Sequence, residues 1–279
     1  MAVVFPAPTW FVGCGNMAGA MVEGWRLAGL GFGNAVVIRP SGTPVEGVRT
    51  VTRFADAGEP PRLVVLGFKP QKLDEVAPEL ARWITSRTII VSLLAGAEAA
   101  SLRQRFRSGA IVRAMPNLPV AIRRGVVALY SEGADDEVRR QMSDLVSVLG
   151  LTLWTETEKA FGAIGSVAGS GPAYVARFIA ALAAGGVERG LPQQLAGTIA
   201  LETVLGTGWM AAASGEAMDS IARRVASPNG TTEAGLAALD ADDALNRLVI
   251  QTIDAASRRG AEMADEAKGA KLEAEPPVP

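Results

Sequence analysis

Residues 10–21, WFVGCGNMAGAM, set an apolar run directly ahead of a glycine-pinched turn and a helix-forming stretch. Gly13 and Gly15 carry no Cβ, so a tight turn can bring a pyrophosphate against the backbone. Asn16 and Met17 then open a helix whose first N–H groups suit an anion. Ala18 completes a Gly-x-Gly-x-x-Ala spacing, where a small residue lets helix and strand pack closely. That chemistry is dinucleotide binding. The second apolar run ends in Arg39-Pro40-Ser41, where a fold that binds NAD would place an Asp or Glu for the ribose hydroxyls. A guanidinium and a hydroxyl suit a 2′-phosphate instead, so NADP(H) is the preferred cofactor, with NAD(H) also able to serve. A solvated turn arginine is the plain alternative.

Four further segments carry polar or small residues where the pattern of apolar runs breaks. Lys69-Pro70 follows the third run; Pro70 fixes the exit of the chain and Lys69 can reach phosphate or ribose. Residues 92–96, with Ala95, are small enough to leave room for a nicotinamide ribose. Met115-Pro116-Asn117, with Pro119 beyond, makes a rigid loop with a polar tip, and Met115 and Asn117 are candidates for the substrate side. Far along the chain, Ser227, Gly230, Thr231 and Thr232 gather hydroxyls, amides and a helix start in one short stretch, which is the make-up of an anion pocket. The same residues also make an ordinary helix cap.

The chain has no histidine, which removes Ser-His and Cys-His catalysis, histidine metal ligands and any histidine acid or base together. No metal site is expected and no catalytic side chain is assigned. Its single cysteine, Cys14, excludes an internal disulfide and sits in the glycine turn, where packing suits it better than reactivity. A net charge of −2 without a dense basic run leaves no footprint for nucleic acid, so a small metabolite is the expected partner. No stretch reaches the roughly 18 uninterrupted apolar residues of a membrane span, and the residues before Trp10 lack the form of a signal peptide. A cytoplasmic protein without membrane partners is expected.

These residues need elements to position them. Apolar, β-branched runs at 10–12, 35–38, 63–68, 88–93, 110–113, 125–130 and 151–154 alternate with helical stretches at 18–27, 72–83, 97–106 and 135–149. The early runs are apolar throughout, as in strands covered on both faces. This predicts an α/β domain over residues 1–156, a Rossmann-type doubly wound parallel sheet that binds the dinucleotide. From 157 to 267 no strand run is evident. An all-α domain for substrate binding and dimerisation is expected there, followed by a disordered tail over 268–279. Stretches 173–184 and 196–213 are apolar nearly all round, and a second subunit is the expected cover.

With these segments in order, the chain resembles the pyrroline-5-carboxylate reductases from Phe11 to about Met263. The resemblance rests on Gly13 to Met17, Lys69-Pro70-Gln71, Ser92 to Gly96, Met115-Pro116-Asn117, Gly169 to Tyr174 and, most specifically, Ser227-Pro228 to Thr232. It implies a homodimer or higher homo-oligomer with its active site where subunits meet, and a loop at 227–232 that binds the substrate carboxylate. It further implies reduction of the C=N bond of 1-pyrroline-5-carboxylate to L-proline by NAD(P)H. The chain departs from the family pattern at Gly165, Ala168, Leu118 and Asn229, where Thr, Ser, Thr and Gly are usual. The missing threonine at 165 leaves the proton source to water or to the substrate's own iminium, and leaves a related cyclic imine as an alternative substrate. A hydroxyacid-dehydrogenase-like enzyme is disfavoured, because only Lys159, Lys268 and Lys271 lie beyond residue 150. An NADP(H)-binding sensor without turnover is the non-enzymatic alternative.

Overall fold

The computed structural model describes residues 3–269. Its strands are β1 (Thr9–Val12), β2 (Ala35–Ile38), β3 (Arg49–Val51), β4 (Leu63–Leu66), β5 (Ile89–Ser92), β6 (Ala110–Pro116), β7 (Gly125–Tyr130) and β8 (Gly150–Thr155). Helices α1 (Asn16–Leu27), α2 (Leu73–Leu80), α3 (Ala99–Arg105), α4 (Asp136–Ser147) and α5 (Glu158–Ile164) accompany them. The rest is helical: α6 (Gly171–Glu188), α7 (Gln193–Ser214), α8 (Met218–Val225), α9 (Thr231–Asp240) and α10 (Ala244–Gly269).

The eight strands form one sheet in the order β3-β2-β1-β4-β5-β6-β7-β8, parallel except for the antiparallel contact of β6 with β7. Strands β1, β2, β4 and β5 are buried at every residue, which is why their sequences are apolar throughout rather than alternating. Successive residues feed opposite cores. Phe11, Val37, Val65 and Val91 pack with Met21 and Trp25 of α1 on one face; Trp10, Val36, Val64 and Ile90 pack with Leu73, Leu80 and Leu102 of α2 and α3 on the other. This is the doubly wound Rossmann-type sheet that the alternation of elements predicts.

Two departures have physical reasons. Strand β3 is three residues long on an exposed edge, too short and too polar to carry an apolar run. Strand β6 continues past Arg113 through Pro116, because Met115 and Pro116 pair with Ala128 and Val127 of β7. Met115 therefore stands on a strand end rather than in a loop.

The chain forms two compact units, one running to Ser170 and resuming at Ala256, the other comprising Gly171–Ala255. In the second unit α6 and α7 pack on each other, yet α6 buries no residue and α7 buries only Ala196 and Ala200. Val175, Phe178, Leu182, Ile199, Leu205 and Trp209 are all exposed. A solvated surface of that kind belongs to an interaction site. Most of the stretch expected to be disordered, from residue 270 on, lies outside the described residues.

Helix α1 is held against the turn Leu118–Ile122 that follows Asn117. A Cβ on Gly24 would lie 2.1 Å from the carbonyl oxygen of Val120. Gly24→Ala is expected to destabilise the fold by about 1–3 kcal/mol, the range for overpacking. Urea unfolding would check this, and an unchanged midpoint would show that the turn gives way freely.

Candidate active site

One row of paired residues fixes the edge at which the candidate loops emerge. Ile38 pairs with Val12, Val12 with Leu66, Leu66 with Ser92, and Ser92 with Arg113. Strands β1, β2, β4 and β5 end at that row and β6 runs on to Pro116, so Gly13, Arg39, Gly67, the 93–96 loop and Met115 all lie at one edge. Strand order reverses between β1 and β4, the switch point where open α/β sheets bind their ligands.

A cleft of about 650 Å³ opens at that switch point. Gly13, Gly15, Asn16, Met17, Arg39, Ser41, Lys69, Pro70 and Ala95 all line it, so the nine residues proposed from sequence for the cofactor are brought together. The backbone explains the opening. Gly13 adopts φ +74°, and a Cβ there would meet Phe68 Cβ at 2.9 Å; a Cβ on Gly67 would meet Ala18 Cβ at 2.8 Å and Gly13 O at 3.0 Å. Gly15 N–H donates to Gly67 O at 3.3 Å, tying the turn to the end of β4. Helix α1 starts from Gly15 without a side-chain cap, which leaves its first-turn N–H groups for a ligand.

The electrostatics agree with an anionic occupant. Arg39, Lys69 and Lys72 line the cleft, and its lining holds no carboxylate among the described residues. Lys72 also has a loose ion pair with Glu75 at 3.9 Å. Ser41 Oγ and Thr43 Oγ1 lie 3.0 Å apart beside Arg39. Burial pushes the Cys14 thiol above its ordinary value, partly opposed by the Arg39 charge, so the thiol stays protonated and packs. A glycine cradle, uncapped amides and three cations fit a dinucleotide phosphate chain.

Lys72 is a lining residue that sequence reasoning passed over, whereas Gly67 belongs to the strand end read as part of the crevice. Gly67 stands two residues ahead of Lys69, and a glycine closing an apolar strand was the signal. Lys72 follows Pro70 by two residues and carried no signal of its own.

On the neighbouring strand, Met115 is half-buried and covers Gly165, the first residue of a π-helical turn, Gly165–Gly169. A Cβ on Gly165 would fall 2.1 Å from Met115 Sδ, so the thioether takes the place where a side chain at 165 would start. Asn117 is buried and its amide is committed at both ends: Nδ2 donates to Ala168 O at 3.0 Å and Oδ1 accepts from Val126 N–H at 2.8 Å. Its side chain holds the π-helical turn to β7.

The second unit carries the remaining candidates. Helix α9 begins at Thr231 with Gly230 as its cap residue, and Asn229 takes a positive φ of 57°. Gly230 N–H donates to Ser227 O at 2.9 Å, and a Cβ on Gly230 would lie 2.3 Å from Ser227 Oγ. Asn229 N–H donates to Glu233 Oε2 at 2.7 Å, so that carboxylate satisfies one amide of the turn. Ser227, Gly230, Thr231 and Thr232 therefore share one tight turn at a helix start.

The fold and cleft define a dinucleotide-binding protein of the Rossmann class. The family model described as NADP oxidoreductase, coenzyme F420-dependent, matches residues 10–96, and that of pyrroline-5-carboxylate reductase dimerisation matches residues 158–263. A pyrroline-5-carboxylate reductase of Pseudomonas aeruginosa is 35% identical over 267 residues, 92% of this chain and 96% of that one. A solved pyrroline-5-carboxylate reductase of Coxiella burnetii is 28% identical, with a TM-score of 0.85 over 93% of this chain and 99% of its own. That of Plasmodium falciparum, solved with NADP bound, shares the fold at a TM-score of 0.83 and 23% identity, over 92% of this chain and 98% of its own. The chain belongs to the pyrroline-5-carboxylate reductase family.

Membership accounts for the apolar second unit. The helical run Glu158–Glu188 is long and apolar enough to cross a membrane by length and composition, which runs against the expectation drawn from uninterrupted runs. The dimerisation match begins at the same residue and covers both apolar helices, α6 and α7.

Gly67→Ala is expected to weaken nicotinamide-dinucleotide binding at least ~10-fold, because its methyl must push the turn away from β4 and spoil the amide cradle. Fluorescence titration of the purified protein with NADPH and NADH measures this. Unchanged affinity for both would mean that the contact of Gly13 with Gly67 does not shape the cleft.

Proposed function

We propose that this protein reduces the C=N bond of 1-pyrroline-5-carboxylate to give L-proline, the closing step of proline synthesis, and that it prefers NADPH to NADH. The observation that carries the reading is the 35% identity to a pyrroline-5-carboxylate reductase across 96% of that relative's length. When bound, the dinucleotide supplies a hydride to the imine carbon as the C=N π pair moves onto nitrogen.

The chain's own residues bind and orient. Gly13 and Gly15 let the pyrophosphate approach without a Cβ and Asn16 and Met17 offer it backbone amides, Arg39 and Ser41 take the 2′-phosphate, and Lys69, Pro70 and Ala95 flank the phosphates and the nicotinamide ribose. Met115 and Asn117 bound the substrate side, Asn117 by anchoring the π-helical turn. Ser227, Gly230, Thr231 and Thr232 receive the substrate carboxylate. Residues 1–156 serve as the dinucleotide-binding domain and 157–267 as the domain for substrate binding and dimerisation.

No side chain at position 165 can give a proton, and the Met115 thioether that takes its place is no acid. The imine is reduced as its iminium, already protonated from solvent, which makes the carbon electrophilic without an enzymic acid. The protein acts in the cytoplasm as a homodimer or higher homo-oligomer, and its reaction draws on the intracellular nicotinamide pool.

The test is NADPH oxidation by purified protein with and without pyrroline-5-carboxylate. Consumption that depends on the imine is expected, and tight NADPH binding without turnover would mark a sensor instead. Thr232→Ala should raise the imine KM roughly 10- to 100-fold, since a hydrogen bond to a charged group contributes about 1.5–3 kcal/mol. An unaltered KM takes Thr232 out of the site. Arg39→Ala should raise the KM for NADPH at least ~10-fold and change that for NADH little, because only the 2′-phosphate meets the guanidinium. Equal losses for the two cofactors would leave Arg39 a structural residue.

A further inference from the structure

Arg113 is 6% exposed in the sheet, and its Nε is buried without a hydrogen-bond partner. Its charge is met by Glu158, the first residue of α5, whose Oε2 pairs with Arg113 Nη1. The guanidinium also lies over the Phe161 ring, 4.6 Å from its centroid. The other carboxylate oxygen, Glu158 Oε1, accepts from the N–H of Ala99 at 3.1 Å, where α3 begins. One carboxylate therefore joins three elements. Thr157 caps α5 by accepting from Ala160 N–H at 3.1 Å, which fixes the backbone that presents Glu158.

Each joined element leads to a different wall of the proposed site. Two residues past Arg113 is Met115, packed on Gly165. Ahead of Ala99 is the loop with Ala95, which lines the cofactor cleft, and Gly96, whose Cβ would meet Met263 O of α10 at 2.9 Å. Helix α5 runs into the π-helical turn that Asn117 anchors through Ala168 O. An ion pair whose arginine is buried with one donor left unsatisfied is a poor device for stability, since apolar residues in place of such pairs are often as stable or more so. Its distinctive property is geometric: a guanidinium and a carboxylate bonded to three elements admit one register.

We propose that Arg113 and Glu158 are a positioning pair for hydride transfer, holding the Met115 strand end and the π-helical turn in fixed register with the nicotinamide-side loop at Ala95. The proposal rests on the reductase reading. Neither residue lines the cleft, so the pair acts through Met115, Gly165 and Ala95 rather than on the reactants.

The experiment compares full-length wild type with Glu158→Gln and with the double variant Arg113→Met/Glu158→Gln, which removes both charges and keeps an acceptor for Ala99 N–H. Four quantities are read: NADPH Kd by fluorescence, kcat per folded enzyme, the primary isotope effect with NADPH deuterated at the transferred position, and Tm. For Glu158→Gln the expected results are a Kd within ~3-fold of wild type, kcat down at least ~10-fold and a larger isotope effect, because misplacement of the reacting atoms slows the chemical step. The double variant should recover Tm without recovering kcat. Recovery of both would overturn the proposal and leave the pair structural, as would a kcat for Glu158→Gln equal to wild type. If Glu158→Gln fails to fold, kcat in the double variant decides alone. A wild type inert with pyrroline-5-carboxylate sinks the reductase reading, and the pair's role with it, which is distinct from an active wild type with unaffected variants.

Discussion

The cleft depends on three positions that lack side-chain bulk meeting between two strand ends. Gly13, Ala18 and Gly67 bring the β1–α1 turn against the end of β4, with Gly13 O and Ala18 Cβ each 3.0 Å or less from where a Cβ on Gly67 would stand. Because β1 and β4 flank the reversal in strand order, this contact decides how far the α1 amides stand from the loops that close the other side. A bulkier residue at any of the three would fill the ligand's place or turn the helix start away. The cations at Arg39, Lys69 and Lys72 line the same cleft, and their attraction for an anion is weakened by salt. The backbone contact sets the geometry to which they add affinity.

Much of this was legible in the sequence, for reasons that differ by element. Strands buried on both faces announce themselves as unbroken apolar runs, and glycines at a strand-to-helix junction have few other uses, so the first half of the sheet and the Gly13–Gly15 turn could be read directly. Strand β3 could not, because its three residues lie on an exposed edge where side chains are free to be polar. The extension of β6 through Pro116 is dictated by its antiparallel neighbour, and pairing between strands leaves no local mark. The same holds for Arg113 and Glu158, whose 45-residue separation hides a partnership that only packing reveals. Asn117 was legible as a polar tip, but its double commitment to Ala168 and Val126 was not.

The second unit shows the limit of reading one chain as though it were the whole solvent-exposed object. Helices α6 and α7 are apolar around most of their circumference, and folding leaves them that way, with Phe178, Leu182, Ile199 and Trp209 exposed. Burying such side chains contributes about 25 cal/mol per Å² of apolar surface, so a face of this extent favours association over solvation. By length and composition alone, the helical run Glu158–Glu188 also passes as a membrane span. The dimerisation match covers both the apolar helices and the turn at Ser227 to Thr232.

The absence of histidine and of a side chain at Gly165 throws the proposed chemistry onto placement. An iminium needs no acid at the moment of hydride transfer, but it has a short reach: the donor carbon and the acceptor carbon must be held close and aligned before the step occurs. A site that relies on alignment needs walls that do not drift, and the structure builds one of them from interlocked parts. Met115 sits on Gly165, Asn117 clamps Ala168 to β7, and Ser166 Oγ meets Ser257 Oγ of α10 at 2.8 Å. Each contact joins a residue of the π-helical turn to a different element, so the turn cannot shift without breaking several at once. A helix irregularity of this kind weakens its own ladder and persists where surrounding contacts over-determine it. A glycine at 165 therefore fits catalysis in which rigidity, rather than proton donation, is what the turn supplies.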